Sequence, residues 1–116
     1  MRFVIKGTRI KLNPKLEDYI KDRIGSTEKY INTDLPLTAK IEIEKITDHH
    51  NKGKIFRAEV NIHLKNKFLR AEATREDIYL AINEARDELK GEFKKYKEIN
   101  IDRQRKNEKE NRRAIF

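Results

Sequence analysis

The residues with the most chemistry to offer are basic, and they recur at helical spacing. At about 100° per residue, Arg75, Tyr79, Arg86, Lys90, Lys94 and Lys97 fall within an arc of roughly 100°. Asp77, Glu84, Asp87 and Glu88 take the next arc. Ile78, Ala81, Ile82, Ala85, Leu89, Phe93 and Tyr96 take the third. Lys95 breaks the sorting, because it lies on the acidic side. A merely solvated helix more often mixes its signs in i, i+4 pairs. A sorted row of cations suits a row of phosphates, each Lys or Arg neutralising one charge and releasing a counterion. An earlier helix adds Arg23 and Lys29, with Lys15 and Lys21 nearby. Arg23 falls amid apolar positions, so a snorkelling, structural Arg is as good a reading as a ligand contact.

Other chemistries find no comparable pattern. His49 and His50 follow Asp48, but adjacent residues rarely point at one ion and nothing completes a ligand set. They read as a solvent loop, and no metal is expected. The chain has no Cys, which removes disulfides, thiolate metal sites and thiol catalysis. There is no Ser-His-Asp arrangement and no Gly-rich phosphate loop. The aromatic pairs of an RNA-recognition sheet are missing too. The expectation is a protein that is no enzyme, with no cofactor and no small-molecule substrate.

The elements that must position the cations follow from periodicity. Residues 2–6 alternate, with Phe3 and Ile5 on one face and Arg2, Val4 and Lys6 on the other, which predicts a strand ended by Gly7. Asn13-Pro14 is a helix start, with Asn as N-cap and Pro at the first helical position. Leu16, Ile20 and Ile24 carry that helix over about 14–30, with Gly25 a weak point inside it. Three period-2 segments come next. Ala39, Ile41 and Ile43 form one inward row; Phe56, Ala58, Val60, Ile62 and Leu64 the second; Leu69, Ala71 and Ala73 the third. A polar loop, residues 47–54, joins the first two, and Lys65-Asn66-Lys67 is a tight hairpin between the last two. Thr74 is the expected start of the last helix, with Asp77 three residues on as a capping-box variant. That helix should reach about residue 97. Beyond Ile101 the apolar spacing stops, and 98–116 reads as a flexible basic tail behind a folded body of residues 1–97.

The order is β-α-β-β-β-α. Loops too short for crossovers make the last three strands an antiparallel meander. One apolar face per strand puts two helices on one side of a four-stranded sheet and water on the other. The fold class is α+β, a two-layer sandwich.

The bulk composition agrees. The chain has 116 residues, 28 Lys+Arg against 20 Asp+Glu and a net charge of +8, with 41% charged residues. Leu, Ile, Val and Phe still make up about a quarter of it, above the ~20% typical of disordered chains. No apolar run approaches the roughly 18 residues of a membrane span. The N-terminus reads as a strand, not a signal peptide. A cytoplasmic protein with a polyanionic partner, nucleic acid before membrane, is expected.

Glu76-Asp77-Ile78-Tyr79-Leu80-Ala81-Ile82-Asn83 resembles the Asp-Met-Tyr-x-Ala-Ile-Asn/Asp start of the last helix in the ribosome hibernation-promoting factors, also called ribosome-associated inhibitors. Ile5-Lys6-Gly7, Asp22-Arg23-Ile24, Glu28-Lys29, Ile43-Glu44-Lys45 and Arg70-Ala71-Glu72-Ala73 are similar to other segments of that family, in the same order. The resemblance covers about residues 2–97 and suggests the short form. It implies the same β-α-β-β-β-α order, in a double-stranded-RNA-binding-like layout. It also implies a non-catalytic protein that binds the small ribosomal subunit and the 70S ribosome through rRNA. There it would occupy the mRNA and tRNA path and silence translation in stationary phase or stress, being a monomer off the ribosome. Arg23 and Lys29 match basic positions of the family's first helix. Lys94 and Lys95 fall near the basic end of its last helix, where Lys95 matches well. With Arg86, Lys90 and Lys97 these are the expected RNA-binding residues. Two places where the family commonly carries Lys and Arg hold Glu88 and Gly91 here, and Lys90 and Lys97 are the candidates to substitute. A general double-stranded-RNA-binding module and a structural or protein-interaction domain that recruits a partner through its exposed sheet face or its tail are the alternatives.

Overall fold

In a computed structural model, residues 1–31, 36–47, 53–64 and 67–115 are described. Most of the polar loop holding His49 and His50, and most of the Lys65-Asn66-Lys67 turn, lie outside them. Strand β1 (Arg2–Thr8) leads to helix α1 (Pro14–Gly25) and a 3-10 turn over Ser26–Tyr30. Strands β2 (Thr38–Thr47), β3 (Lys54–Leu64) and β4 (Lys67–Arg75) follow, then helix α2 (Ile78–Ile115).

The sheet order is β1-β2-β3-β4. β1 runs parallel to β2, Phe3 opposite Ala39 and Ile5 opposite Ile41. Parallel neighbours need a crossover, and α1 with its 3-10 turn supplies it. β2, β3 and β4 form the antiparallel meander expected, with Ile41 opposite Val60 and Val60 opposite Ala71. The α+β reading therefore holds, as a four-stranded mixed sheet with its helices on one face. Buried Leu16, Ile20 and Ile24 come from α1; Ala81, Ile82, Ala85, Leu89 and Phe93 come from α2. These are the apolar arcs predicted from spacing. Ala71 and Ala73 on β4 and Ala81 and Ala85 on α2 are all buried in the same core.

Asn13 caps α1 as expected, its Oδ1 accepting from the Leu16 amide at 2.8 Å with Pro14 in the first turn. The single helix expected over 14–30 is instead an α-helix to Gly25 and then a 3-10 turn. Ser26 Oγ donates to the Arg23 carbonyl at 2.7 Å, and Thr27 Oγ1 donates to the Ile24 carbonyl at 2.6 Å. Hydroxyls bonding i−3 carbonyls compete with the i−4 ladder, which fits the tighter winding. Thr74 does not start α2; it belongs to β4. The cap is Asp77, whose Oδ1 accepts from the Tyr79 and Leu80 amides at 2.8 and 3.1 Å. The expected helix end near residue 97 is also corrected. The backbone continues as helix to Ile115, because loss of apolar periodicity removes the packing face and leaves good helix formers such as Lys, Glu and Arg in place.

Candidate nucleic-acid interface

The candidate face is the seam where α1 and its 3-10 turn lie against α2. Tyr30 ends that turn, and three ammonium groups converge on its ring. Lys90 Nζ stands 4.8 Å from the ring centroid, Lys29 Nζ 5.3 Å and Lys94 Nζ 5.9 Å. Lys90 and Lys94 are one helical turn apart, so they meet the same neighbour. Side-chain hydrogen bonding to Lys90, then the charges of Lys29, Lys90 and Lys94, hold the Tyr30 phenol below its ordinary value against the opposing push of burial. That lowered phenol records the positive potential of the site.

Further up the seam, Tyr19 and Tyr79 meet edge to face, centroids 4.8 Å apart at 88°. Tyr19 Oη donates to Asn83 Oδ1 at 2.9 Å. The Arg23 guanidinium lies over the Tyr19 ring at 4.8 Å and pairs with Asp22 at 3.0 Å. Tyr19 also raises the Arg23 pKa, chiefly through side-chain hydrogen bonding. The Arg23 Nε is buried with no partner among the described residues, while the guanidinium end reaches the surface.

The expected residues separate into groups. Arg23, Lys29, Lys90 and Lys94 are gathered at the seam by Tyr19 and Tyr30. Arg86 lies between the two ring sites on α2, 27% exposed and paired with Asp87 at 3.1 Å. Lys97 is exposed further along the same arc. Lys95 pairs with Glu92 at 3.6 Å on the acidic side and is not brought to the seam. Arg75, part of the basic arc in the sequence, ends β4 and is engaged by Glu84 at 3.0 Å and Glu76 at 3.6 Å. Sequence reasoning missed Tyr30, Tyr19 and Asn83. The 3-10 winding that swings Tyr30 toward Lys90 breaks the 100° rule. The available signal was Ser26-Thr27, a pair prone to such turns.

Glu88 and Gly91 now have structural settings. Glu88 reaches the β4 edge, Oε2 accepting from the Glu72 amide at 3.4 Å. A Cβ at Gly91 would meet nothing within 4 Å. Among the described residues no group of three or more His, Cys, Asp or Glu could hold a metal, and no helix is long and apolar enough to cross a membrane.

A two-layer α+β body with cations collected on its helical seam defines a small protein built to present a basic face. The chain belongs to the Sigma 54 modulation protein / S30EA ribosomal protein family, which it matches over residues 3–100. It is 31% identical over 97 residues to the ribosome hibernation promotion factor of Lactococcus lactis subsp. cremoris, covering 84% of this chain and 50% of that one. It is 35% identical over 97 residues to the ribosome hibernation promotion factor of Staphylococcus aureus, covering 84% and 48%. The chain thus spans about half the length of the curated relatives it matches. Its fold is similar to the Protein Y N-terminal domain of Thermus thermophilus, with TM-score 0.71, 26% identity, and 83% of this chain and 99% of that one covered. A ribosomal subunit interface protein of Coxiella burnetii shares the fold, with TM-score 0.62 at 18% identity, covering 84% and 98%.

Proposed function

We propose that this protein is a ribosome-associated hibernation factor. It lays the α1–α2 seam on small-subunit rRNA within the mRNA and tRNA path, and so silences translation in stationary phase or stress. The observation that carries the reading is the convergence of Lys29, Lys90 and Lys94 on Tyr30. Among the described residues these ammonium groups are held by a ring and by no carboxylate, so their charge remains available to phosphates. The family membership and the hibernation factors among its relatives support the ribosome as the polyanion. The action is non-catalytic: net positive charge steers the body to its site, phosphate contacts hold it in register, and its bulk excludes tRNA and mRNA. It works in the cytoplasm and is a monomer off the ribosome. Residues 1–97 are the ribosome-binding body.

Sedimentation of purified protein with ribosomes through sucrose gradients at several salt concentrations tests this. Co-sedimentation of the wild type with 30S and 70S particles is expected, with loss for a Lys90→Glu/Lys94→Glu variant of unchanged circular dichroism. Wild-type protein left at the top of the gradient even at low salt overturns the reading.

A further inference from the structure

We propose that the upper seam is a nucleobase-stacking site, taking an unpaired base of single-stranded RNA on the Tyr79 ring beside Tyr19 and Arg23. The inference deepens the RNA-binding reading above and rests on it. The two rings stand nearly perpendicular, 4.8 Å between centroids at 88°, so they do not stack face on face and Tyr19 does not occupy Tyr79 as a stacked base would. Tyr79 is the outer of the two, 37% exposed, with Leu80 exposed beside it. The inner ring is fixed from two sides: Asn83 Oδ1 accepts from its hydroxyl, and the Arg23 guanidinium covers it. A platform held in this way loses little freedom when a base arrives. Aromatic and guanidinium planes are the surfaces on which unpaired bases stack.

The placement along α2 joins this platform to the cations. Tyr79, Asn83, Arg86, Lys90 and Lys94 form one column, and Tyr79 and Lys90 stand about 16 Å apart along the axis at 1.5 Å per residue. A strand running down the column would meet a ring first and ammonium groups afterwards. A duplex has its bases already stacked, so it could use only the cations.

Fluorescence anisotropy with a labelled oligouridine and a labelled blunt RNA duplex of equal length, over a salt series, tests the proposal. Tyr79→Leu is expected to weaken single-strand binding about tenfold, as for the loss of one stacked base. It should leave the slope of log affinity against log salt and the duplex affinity unchanged, and Tyr79→Phe should bind as the wild type does. Lys90→Gln should lower that slope by about one on both RNAs. The chain has no Trp, so tyrosine emission gives a second readout. Its quenching by oligouridine in the wild type should largely vanish in Tyr79→Leu. An inert Tyr79→Leu, or an equal loss on strand and duplex, overturns the stacking site alone. Wild-type protein that binds neither RNA also overturns the stacking site, while the reading beneath it falls only if the protein fails to sediment with ribosomes at low salt.

Discussion

At Tyr30 the phenol is an internal gauge of the cation cluster. Its lowered pKa follows from Lys90 first, with Lys29 and Lys94 adding charge. Ultraviolet difference titration should therefore show a tyrosine ionising earlier than the others, absent in Tyr30→Phe and moved back up in Lys90→Ala. Between the folded and unfolded pKa values the unfolded chain holds the extra proton. Stability relative to Tyr30→Phe thus rises with pH across that window, is complete above the unfolded value, and is lost as pH falls through the folded one. RNA affinity should move the opposite way, since a phenolate there cancels part of the charge that phosphates meet. Gly91 offers a second residue-scale test, because the space above it is open. Gly91→Ala should stabilise the protein by about 1 kcal/mol, the helix-interior difference between the two residues, read as a higher urea midpoint.

Among the elements, the β1–α1 connection is the most constrained. A Cβ at Gly7 would stand 2.6 Å from the Ile10 carbonyl oxygen and 3.0 Å from Leu12 Cγ. The chain folds back so closely there that any side chain must displace backbone. Gly7→Ala should destabilise by about 2 kcal/mol, seen as a lower thermal midpoint with ribosome binding retained at low temperature. The strands and the apolar arcs of both helices were legible in the sequence because burial imposes strict periods of 2 and 3.6, and Ile41, Val60, Ala85 and Leu89 obey them. The Lys90–Lys94 pair was legible for the same reason. The boundaries were not. Asp77 rather than Thr74 caps α2 because β4 keeps its ladder to Arg75, a tertiary preference that local capping rules do not register. The end of α2 was misplaced for a different reason: amphipathic spacing reports a buried face, and a helix continuing without one leaves no such trace. Tyr30 was missed because its direction depends on a change of winding between it and α1.

Across the whole molecule the two layers treat charge differently. At the helical seam Arg23, Lys29, Lys90 and Lys94 rest on rings. On the outer sheet face they are matched with carboxylates: Arg57 contacts Glu59, Glu72 at 3.0 Å, Glu44 at 3.5 Å and Glu42 at 3.7 Å. Glu42, Glu59 and Glu72 stand directly opposite one another across three strands, an arrangement that is destabilising unless a cation intervenes. Arg57 and Arg70, the latter 2.9 Å from Glu72, fill that need. A slip of one residue would carry this row into the core, so the charged row and the apolar face specify the same register. β4 ends the sheet, and an open strand edge invites pairing with another chain. Glu88 sits against that edge at the Glu72 amide. Glu88→Ala should therefore leave monomer stability little changed yet raise self-association at high concentration, measurable by light scattering; unchanged scattering would assign Glu88 no such part. On that outcome Glu88, by occupying the Glu72 amide, is a doorstop on the open edge, there to keep crowded copies of the protein from zipping together.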